Sequence, residues 1–258
     1  MMQGKPLLPL TLSLLVVAGC RWHLGPTYPS NAVASALAHL CAKEYRMEVQ
    51  TRRVGNTLQA FFWRSNLLQL GAGQDMKLEA AEALEHVLLC ATRISLSTDA
   101  PLQFIEIKMA DRLTGATVTL WRYAPDIRDS MLSRFGEEEY SNRLVLEMNP
   151  NAQMDEDQSV WDESLTLEQF LAKQVVLRAK RQSPVVIQVH EDLSKPSQLG
   201  VVVDNWSTVE KQGAAQKTKV TELVEKISRH VIRGYGFNGF RGGTLLDSRG
   251  SLVKRWTF

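Results

Sequence analysis

Thiol and imidazole side chains are the groups whose spacing most directly suggests chemistry in this chain. His86 and Cys90 are four residues apart, and His39 and Cys41 are two apart. Such pairs can bind zinc or form a Cys–His nucleophile, but the chain lacks the CxxC and HExxH patterns typical of those sites. Cys41 and Cys90 fall on the apolar sides of two predicted helices. We therefore expect them in the core, either as free thiols or as a disulfide, and we expect no metal and no cofactor.

Two short motifs match known binding loops only in part. Residues Gly234–Gly239 fit GxGxxG, but a dinucleotide loop requires a strand before it and a helix after it. Here a helix comes first and a hairpin follows, so we interpret the segment as a helix end and a loop. Asp155 and Asp157 open like an EF-hand loop, whereas Val160 and Thr166 occupy its glycine and glutamate positions. An acidic surface loop is the better interpretation.

The composition is that of an ordinary soluble globular protein. The chain has 258 residues, of which 44% are hydrophobic and 22% charged, and its formal net charge is +2. These values exclude a disordered chain, a collagen-like chain and a coiled-coil rod. A dedicated nucleic-acid binder usually carries a larger basic excess, so we expect no nucleic-acid partner.

Charge is unevenly distributed along the chain. Residues 126–168 contain 12 acids and 3 bases, whereas residues 210–258 contain 10 bases and 4 acids. A basic surface with aromatic side chains can bind an anionic lipid, a glycan or an acidic envelope protein. Two other interpretations stay open: the basic region could face the acidic one, or both could be solvated surface. The aromatic residues of the basic region are Tyr235, Phe237, Phe240, Trp256 and Phe258.

The amino terminus carries the strongest targeting signal. Lys5 precedes an uncharged apolar run over residues 7–19, which is too short to span a bilayer core of about 30 Å as a helix. The pattern predicts a signal peptide over residues 1–19. Its end, Val17-Ala18-Gly19-Cys20, resembles the lipobox of bacterial lipoproteins. The resemblance implies that Cys20 becomes the first mature residue and carries acyl chains, which attach the chain to a membrane of the cell envelope.

A short tether is predicted after the lipidation site. Residues 20–30 contain Gly25, Pro26 and Pro29, which favour an extended segment with a reach of about 33–36 Å at most. The folded region is therefore expected close to the bilayer, facing the periplasm or the cell exterior. Whether the anchor lies in the inner or the outer membrane is left open.

Hydrophobic periodicity predicts an α+β fold. Both halves follow the order helix, strand, strand, helix, strand, strand, and the short turns between paired strands favour largely antiparallel sheets. Ser30 is the predicted cap of the first helix, one helix is predicted over residues 125–140, and Thr166 with Gln169 fits a capping box. We expect an α+β domain over residues 31–148, an acidic loop or linker over 149–164, and a second domain or a continuation over 165–258.

Together these features favour a membrane-anchored envelope lipoprotein. The absence of a catalytic motif favours a non-catalytic subunit or accessory of an envelope assembly, secretion or maintenance system. The alternatives are a hydrolase of peptidoglycan or peptides and a carrier of a small ligand or lipid. Cys20 is the one residue to which the sequence assigns a function.

Overall fold

The computed structural model describes residues 27–69, 75–150, 161, 164–183, 189–195 and 197–258. Its amino-terminal half follows the predicted order of helix, strand, strand, helix, strand, strand, and then adds two short helices and a fifth strand. The elements are α1 (Val33–Tyr45), β1 (Gln50–Val54), β2 (Thr57–Trp63), α2 (Leu78–Ser97), β3 (Phe104–Ala110), β4 (Thr117–Tyr123), α3 (Ala124–Met131), α4 (Glu137–Asn142) and β5 (Val145–Asn149).

The carboxy-terminal half repeats the same order, with one extra short helix before its second long helix. The predicted element order is thus confirmed in both halves. The elements are α5 (Leu167–Gln182), β6 (Val189–Asp192), β7 (Gln198–Val203), α6 (Trp206–Lys211), α7 (Ala214–Gly234), β8 (Gly242–Asp247) and β9 (Leu252–Thr257).

Each half forms its own mixed sheet. The first sheet has the strand order β1-β2-β3-β4-β5, and the second has β6-β7-β8-β9. Strands joined by turns are antiparallel, as predicted, but β2 pairs parallel with β3 and β7 pairs parallel with β8. A helical crossover separates the members of each parallel pair, and such a connection returns the chain in the same direction. The α+β fold is confirmed, with sheets that are largely antiparallel.

Two hydrophobic clusters organise the layers. In the first, α1 and α2 cover one face of the first sheet, with Leu58, Ile105 and Val118 pointing towards them. In the second, α5 and α7 cover the second sheet, and Phe170 of α5 also contacts Phe104 of the first sheet at 5.4 Å between ring centroids. Since α5 packs on both sheets, the molecule is layered as helices, sheet, helices, sheet.

Local chemistry explains where some elements begin. Thr166 caps α5, because its side chain accepts from the Gln169 amide while the Gln169 side chain accepts from the Thr166 amide. The predicted capping box is confirmed. Ser30 does not cap α1, which begins after Ala32 without a side-chain cap. The Ser30 carbonyl and hydroxyl instead accept from the Arg53 guanidinium, which ties the entering chain to β1.

The single helix predicted over residues 125–140 is wrong. The structure has two short helices there, α3 and α4, with Ser133 between them at a φ of 54°. A left-handed residue cannot continue an α-helix. The break lets the chain turn back from the end of β4 to the start of β5, which pairs antiparallel with it.

Candidate functional site

A buried network of charged and polar side chains lies where the two halves meet. Asp126 of α3 is 1% exposed. One of its carboxylate oxygens accepts from Arg143 Nη1 at 2.7 Å, and the other accepts from the Tyr235 hydroxyl at 2.7 Å. Arg143 precedes β5, whereas Tyr235 follows α7. The network therefore joins positions that are 109 residues apart in the chain.

Glu139 and Gln174 extend the network in two directions. Glu139 of α4 accepts from Arg143 Nε at 3.0 Å and from Arg178 of α5 at 3.1 Å. Gln174 of α5 donates to the Tyr235 hydroxyl at 2.8 Å and to the Arg143 carbonyl at 2.6 Å. Residues of α3, α4 and α5 are thus joined with Arg143 before β5 and Tyr235 after α7 in one connected set of hydrogen bonds.

The environment shifts the pKa values of three groups in the network. Burial raises the pKa of the Asp126 carboxyl, although hydrogen bonds from Tyr235 and Arg143 oppose that shift. Burial opposes ionisation of Glu139, but hydrogen bonds from Arg178 and Arg143 outweigh it and lower the pKa of the Glu139 carboxyl. Burial, with the facing Asp126 carboxylate, raises the pKa of Tyr235 above its ordinary value. The phenol accordingly stays protonated and donates to Asp126. The Arg143 guanidinium at 2.7 Å favours the carboxylate form of Asp126, and a phenol that donates to a carboxylate forms a strong hydrogen bond.

This arrangement suits a structural lock. Both oxygens of Asp126 are occupied by donors, and the Arg143 guanidinium is further enclosed by the rings of Phe135 at 4.2 Å and Tyr235 at 4.6 Å. We therefore assign the network to positioning of the two halves.

Arg122 is a second buried cation near this junction. Its guanidinium carbon lies 3.4 Å from the centroid of the Tyr140 ring, and burial lowers the pKa of the guanidinium. Nε and Nη2 have no hydrogen-bond partner within the part of the chain that the structure describes. Stacking on the Tyr140 ring and a hydrogen bond from Nη1 to the Tyr140 carbonyl at 3.4 Å thus compensate for its removal from water.

The first sheet carries a polar chain on the face opposite α1 and α2. Arg52 Nε donates to Gln59 at 2.6 Å, and Gln59 donates to Glu106 at 2.8 Å. Trp161 covers this region, with Phe61 at 6.3 Å and the Arg52 guanidinium at 4.7 Å from its ring. Successive side chains of β2 point to opposite faces of the sheet, so Gln59 and Phe61 point away from α1 while Leu58 points towards it.

One end of the first sheet receives the chain from the amino terminus. The Tyr28 amide donates to the Ser97 carbonyl at 3.2 Å, and Tyr28 bridges Thr98 just after α2. Phe104 at the start of β3 pairs with Tyr123 at the end of β4. We call this the tether end of the molecule. The opposite end, at the turn between β3 and β4, is the far end.

Helix α3 also lies at the tether end. It follows β4 directly, and Arg128 Nη2 donates to the Ser95 carbonyl of α2 at 3.2 Å. Its last residue, Met131, is 69% exposed, and Leu132 is 65% exposed. Among the large hydrophobic residues that the structure shows as exposed, these two are the adjacent pair.

The predicted site residues have different outcomes. Cys20 and the predicted tether up to residue 26 lie outside the described residues, so the lipidation site stays a prediction. Cys41 and Cys90 are buried as expected, and both are free thiols in this structure. Burial, with the neighbouring Cys90 thiol, raises the pKa of Cys41 to about 12. The disulfide between them stays a prediction.

The imidazole candidates are not brought together with the thiols in a metal site. His39 is exposed, whereas His86 stacks on Tyr45 with 4.0 Å between ring centroids. The described residues contain no group of three or more His, Cys, Asp or Glu side chains placed to hold a metal. The EF-hand-like positions Asp155 and Asp157 lie outside the described residues.

Glycine-rich residues 234–239 form the end of α7 and a loop, as interpreted from the sequence. Gly234 is the last residue of α7, and β8 begins at Gly242. The Gly234 carbonyl accepts from Arg143 Nη2 at 3.1 Å. The segment therefore contributes a hydrogen-bond acceptor at the junction between the two halves.

The basic region is divided between surface and core. Its aromatic residues Phe240 and Trp256 are each 5% exposed, and Tyr235 belongs to the buried network. Helix α7 carries five of the ten bases of this region, and two shallow grooves of about 470 and 690 Å³ that share Glu222 and Lys226 run along it. The sequence alone left open whether the aromatic and basic groups share one surface, because it carries no direct information on burial.

Three comparisons with known proteins bear on the chain. No protein-family model matches it, no curated protein matches it, and no solved structure matches it. Among the described residues, no helix has the length and apolar character needed to cross a bilayer.

Proposed function

We propose that this protein is a membrane-anchored, non-catalytic accessory of a cell-envelope system, held to the bilayer by acyl chains on Cys20. The observation that carries the proposal is the Val17-Ala18-Gly19-Cys20 sequence at the end of a 13-residue uncharged apolar run. Two or three acyl chains suffice for stable anchoring, because each buried methylene contributes about 0.8 kcal/mol.

The position of Tyr28 supports this proposal. The chain is already attached to the end of α2 at Tyr28, so seven residues lie between Cys20 and the fold. A tether this short suits a domain that works beside the membrane. The charged grooves of α7 supply exposed surface for a protein partner of the envelope.

The test is membrane fractionation of the full chain expressed in a bacterium that processes lipoproteins. The wild type should remain in carbonate-washed membranes and incorporate labelled palmitate. The Cys20→Ala variant should lose the label and leave the membrane fraction. If Cys20→Ala still remains in washed membranes, acylation of Cys20 is not the anchor.

A matched thiol control separates lipidation of Cys20 from labelling of any cysteine. Cys90 is 1% exposed and lies in the hydrophobic cluster beneath α1 and α2. The Cys90→Ala variant should keep both the label and the membrane location. Crosslinking and co-purification of the lipidated wild type then tests the accessory role. A recurrent envelope protein supports it, and a preparation without one favours the hydrolase and carrier alternatives.

A further inference from the structure

The tip formed by Met131 and Leu132 is an exposed apolar feature without a partner in the fold. The two residues are adjacent at the end of α3, and each exposes about two thirds of its surface. The other large exposed hydrophobic residues of the described chain are separated from one another in sequence: Leu78, Leu89, Leu113 and Leu252. Singly exposed apolar side chains are common on protein surfaces, whereas contiguous exposed apolar surface marks an interaction site as its area grows.

The tip lies at the tether end. Tyr28 is bonded to Ser97, and Arg128, one turn before the tip, is bonded to Ser95. The point where the chain enters the fold and the helix that presents the tip therefore contact the same last turn of α2.

The length of the tether restricts which surface can meet the membrane. Eight peptide units from Cys20 to Tyr28 span at most about 29 Å when fully extended. Strand β3 alone, with seven residues, is about 20 Å long, so reaching the far end would consume about two thirds of the tether even when it is fully extended. The tether end is the one that the anchor draws to the bilayer.

From these observations, and resting on the proposed lipidation of Cys20, we propose that Met131 and Leu132 insert into the lipid surface that holds the anchor. The occupant of the tip is the interfacial region of the bilayer, and the contact fixes the orientation of the domain. Arg128 is exposed beside the tip, where its guanidinium is bonded to the Ser95 carbonyl.

Charge contributes little to this contact. Arg134 near the tip is paired with Asp129 at 2.6 Å, and Glu137 and Glu138 in the first turn of α4 are exposed. Acids and bases therefore both surround the tip. Attachment should come from the apolar pair, and it should persist when salt screens the surrounding charges.

The test uses the full lipidated chain in vesicles of phosphatidylcholine with a minor fraction of phosphatidylglycerol. An environment-sensitive fluorophore is attached to Leu132→Cys or, as the matched control, to Leu113→Cys. Leu113 is 84% exposed and occupies the turn at the far end of the same sheet. The unsubstituted chain, whose Cys41 and Cys90 are buried, gives the labelling background.

We expect a blue-shifted fluorophore at position 132 that aqueous iodide quenches about fivefold or more weakly than the fluorophore at position 113, because an inserted side chain lies about 5–10 Å below the headgroup boundary. The difference should survive high salt. Placing the fluorophore at Met131→Cys together with Leu132→Asp should restore quenching.

Flotation with the vesicles, measured on the same samples, separates this inference from the proposed function. If the protein floats and the two positions are quenched equally, the anchor stands and the insertion is refuted. If the protein does not float, both proposals fail. If protection at position 132 disappears as the protein is diluted within the bilayer, a second copy covers the tip and the insertion is refuted.

Discussion

The hydroxyl of Tyr235 provides a sharp test of the lock between the two halves. It donates to Asp126 at 2.7 Å and accepts from Gln174 at 2.8 Å. Tyr235→Phe removes this one oxygen and keeps the ring that packs on Phe170 and Tyr123. The substitution therefore isolates the hydrogen bond from the aromatic packing.

The magnitude follows from the burial of Asp126. One carboxylate oxygen keeps Arg143, but the other loses its donor at a site that is 1% exposed. A hydrogen bond to a charged group contributes about 1.5–3 kcal/mol, so we expect the free energy of unfolding to fall by about 2 kcal/mol. For a chain of this size that corresponds to a decrease in Tm of about 4–8 °C.

Urea unfolding followed by tryptophan fluorescence measures this change. Tyr45→Phe is the matched control, because the Tyr45 ring stacks on His86 and its hydroxyl has no partner among the described residues. The free energy of unfolding of this control should stay within about 0.5 kcal/mol of the wild-type value. A double-mutant cycle of Tyr235→Phe and Asp126→Asn should give an interaction free energy of about 1 kcal/mol or more between the two side chains. A Tyr235→Phe variant as stable as the control would refute the lock.

Three further predictions concern separate parts of the fold. Because folding lowers the pKa of Glu139, this carboxyl stabilises the fold above its unfolded-state pKa of 4.5, and the stabilisation is lost as pH falls through its folded-state pKa. Measuring the free energy of unfolding at decreasing pH should show this loss in the wild type and not in Glu139→Gln. Oxidation of Cys41 and Cys90 to a disulfide should raise stability by about 4 kcal/mol in the loop-entropy account, detected as a loss of two free thiols and resistance to urea. Gly243→Ala should destabilise by about 1–3 kcal/mol through overpacking, because its Cβ would lie 2.4 Å from the Trp256 ring.

Each of these has a control within the chain. Gly136→Ala meets no atom within 4 Å, and equal losses at positions 136 and 243 would contradict the packing account. Reducing the disulfide should reverse the gain in stability, and the Cys90→Ala variant should show no gain on oxidation. A Glu139→Gln variant with the same acid titration as the wild type would show that Glu139 does not contribute to the pH dependence.

Local patterns determined the elements and their order. Apolar residues at helical spacing placed α1 with Val33, Leu37 and Cys41 on its buried face, and all three are buried. The hairpins followed from short turns, and the capping box at Thr166 marked the start of α5 to the residue. These features depend on interactions within a few residues, so a single sequence contains the information needed to predict them.

Contacts between distant segments were decided by the tertiary structure. No local pattern specifies that β2 pairs with β3 in parallel, or that α5 packs between two sheets, because both depend on how apolar faces are distributed over the whole chain. The junction network was missed for the same reason. In the sequence Asp126 is one acid of the acidic range 126–168, and only its approach to Tyr235 makes it a buried acceptor.

The membrane anchor is predicted from the sequence, whereas the orientation of the domain on the membrane depends on the tertiary structure. The sequence by itself predicts an acylated Cys20, because lipoprotein-processing enzymes read a short linear motif. Which side of the domain then faces the bilayer depends on where the tether joins the fold and on what is exposed there. The bond from Tyr28 to Ser97 and the exposed tip at Met131 are properties of the folded chain, since packing of α3 against α2 is what brings them to one end.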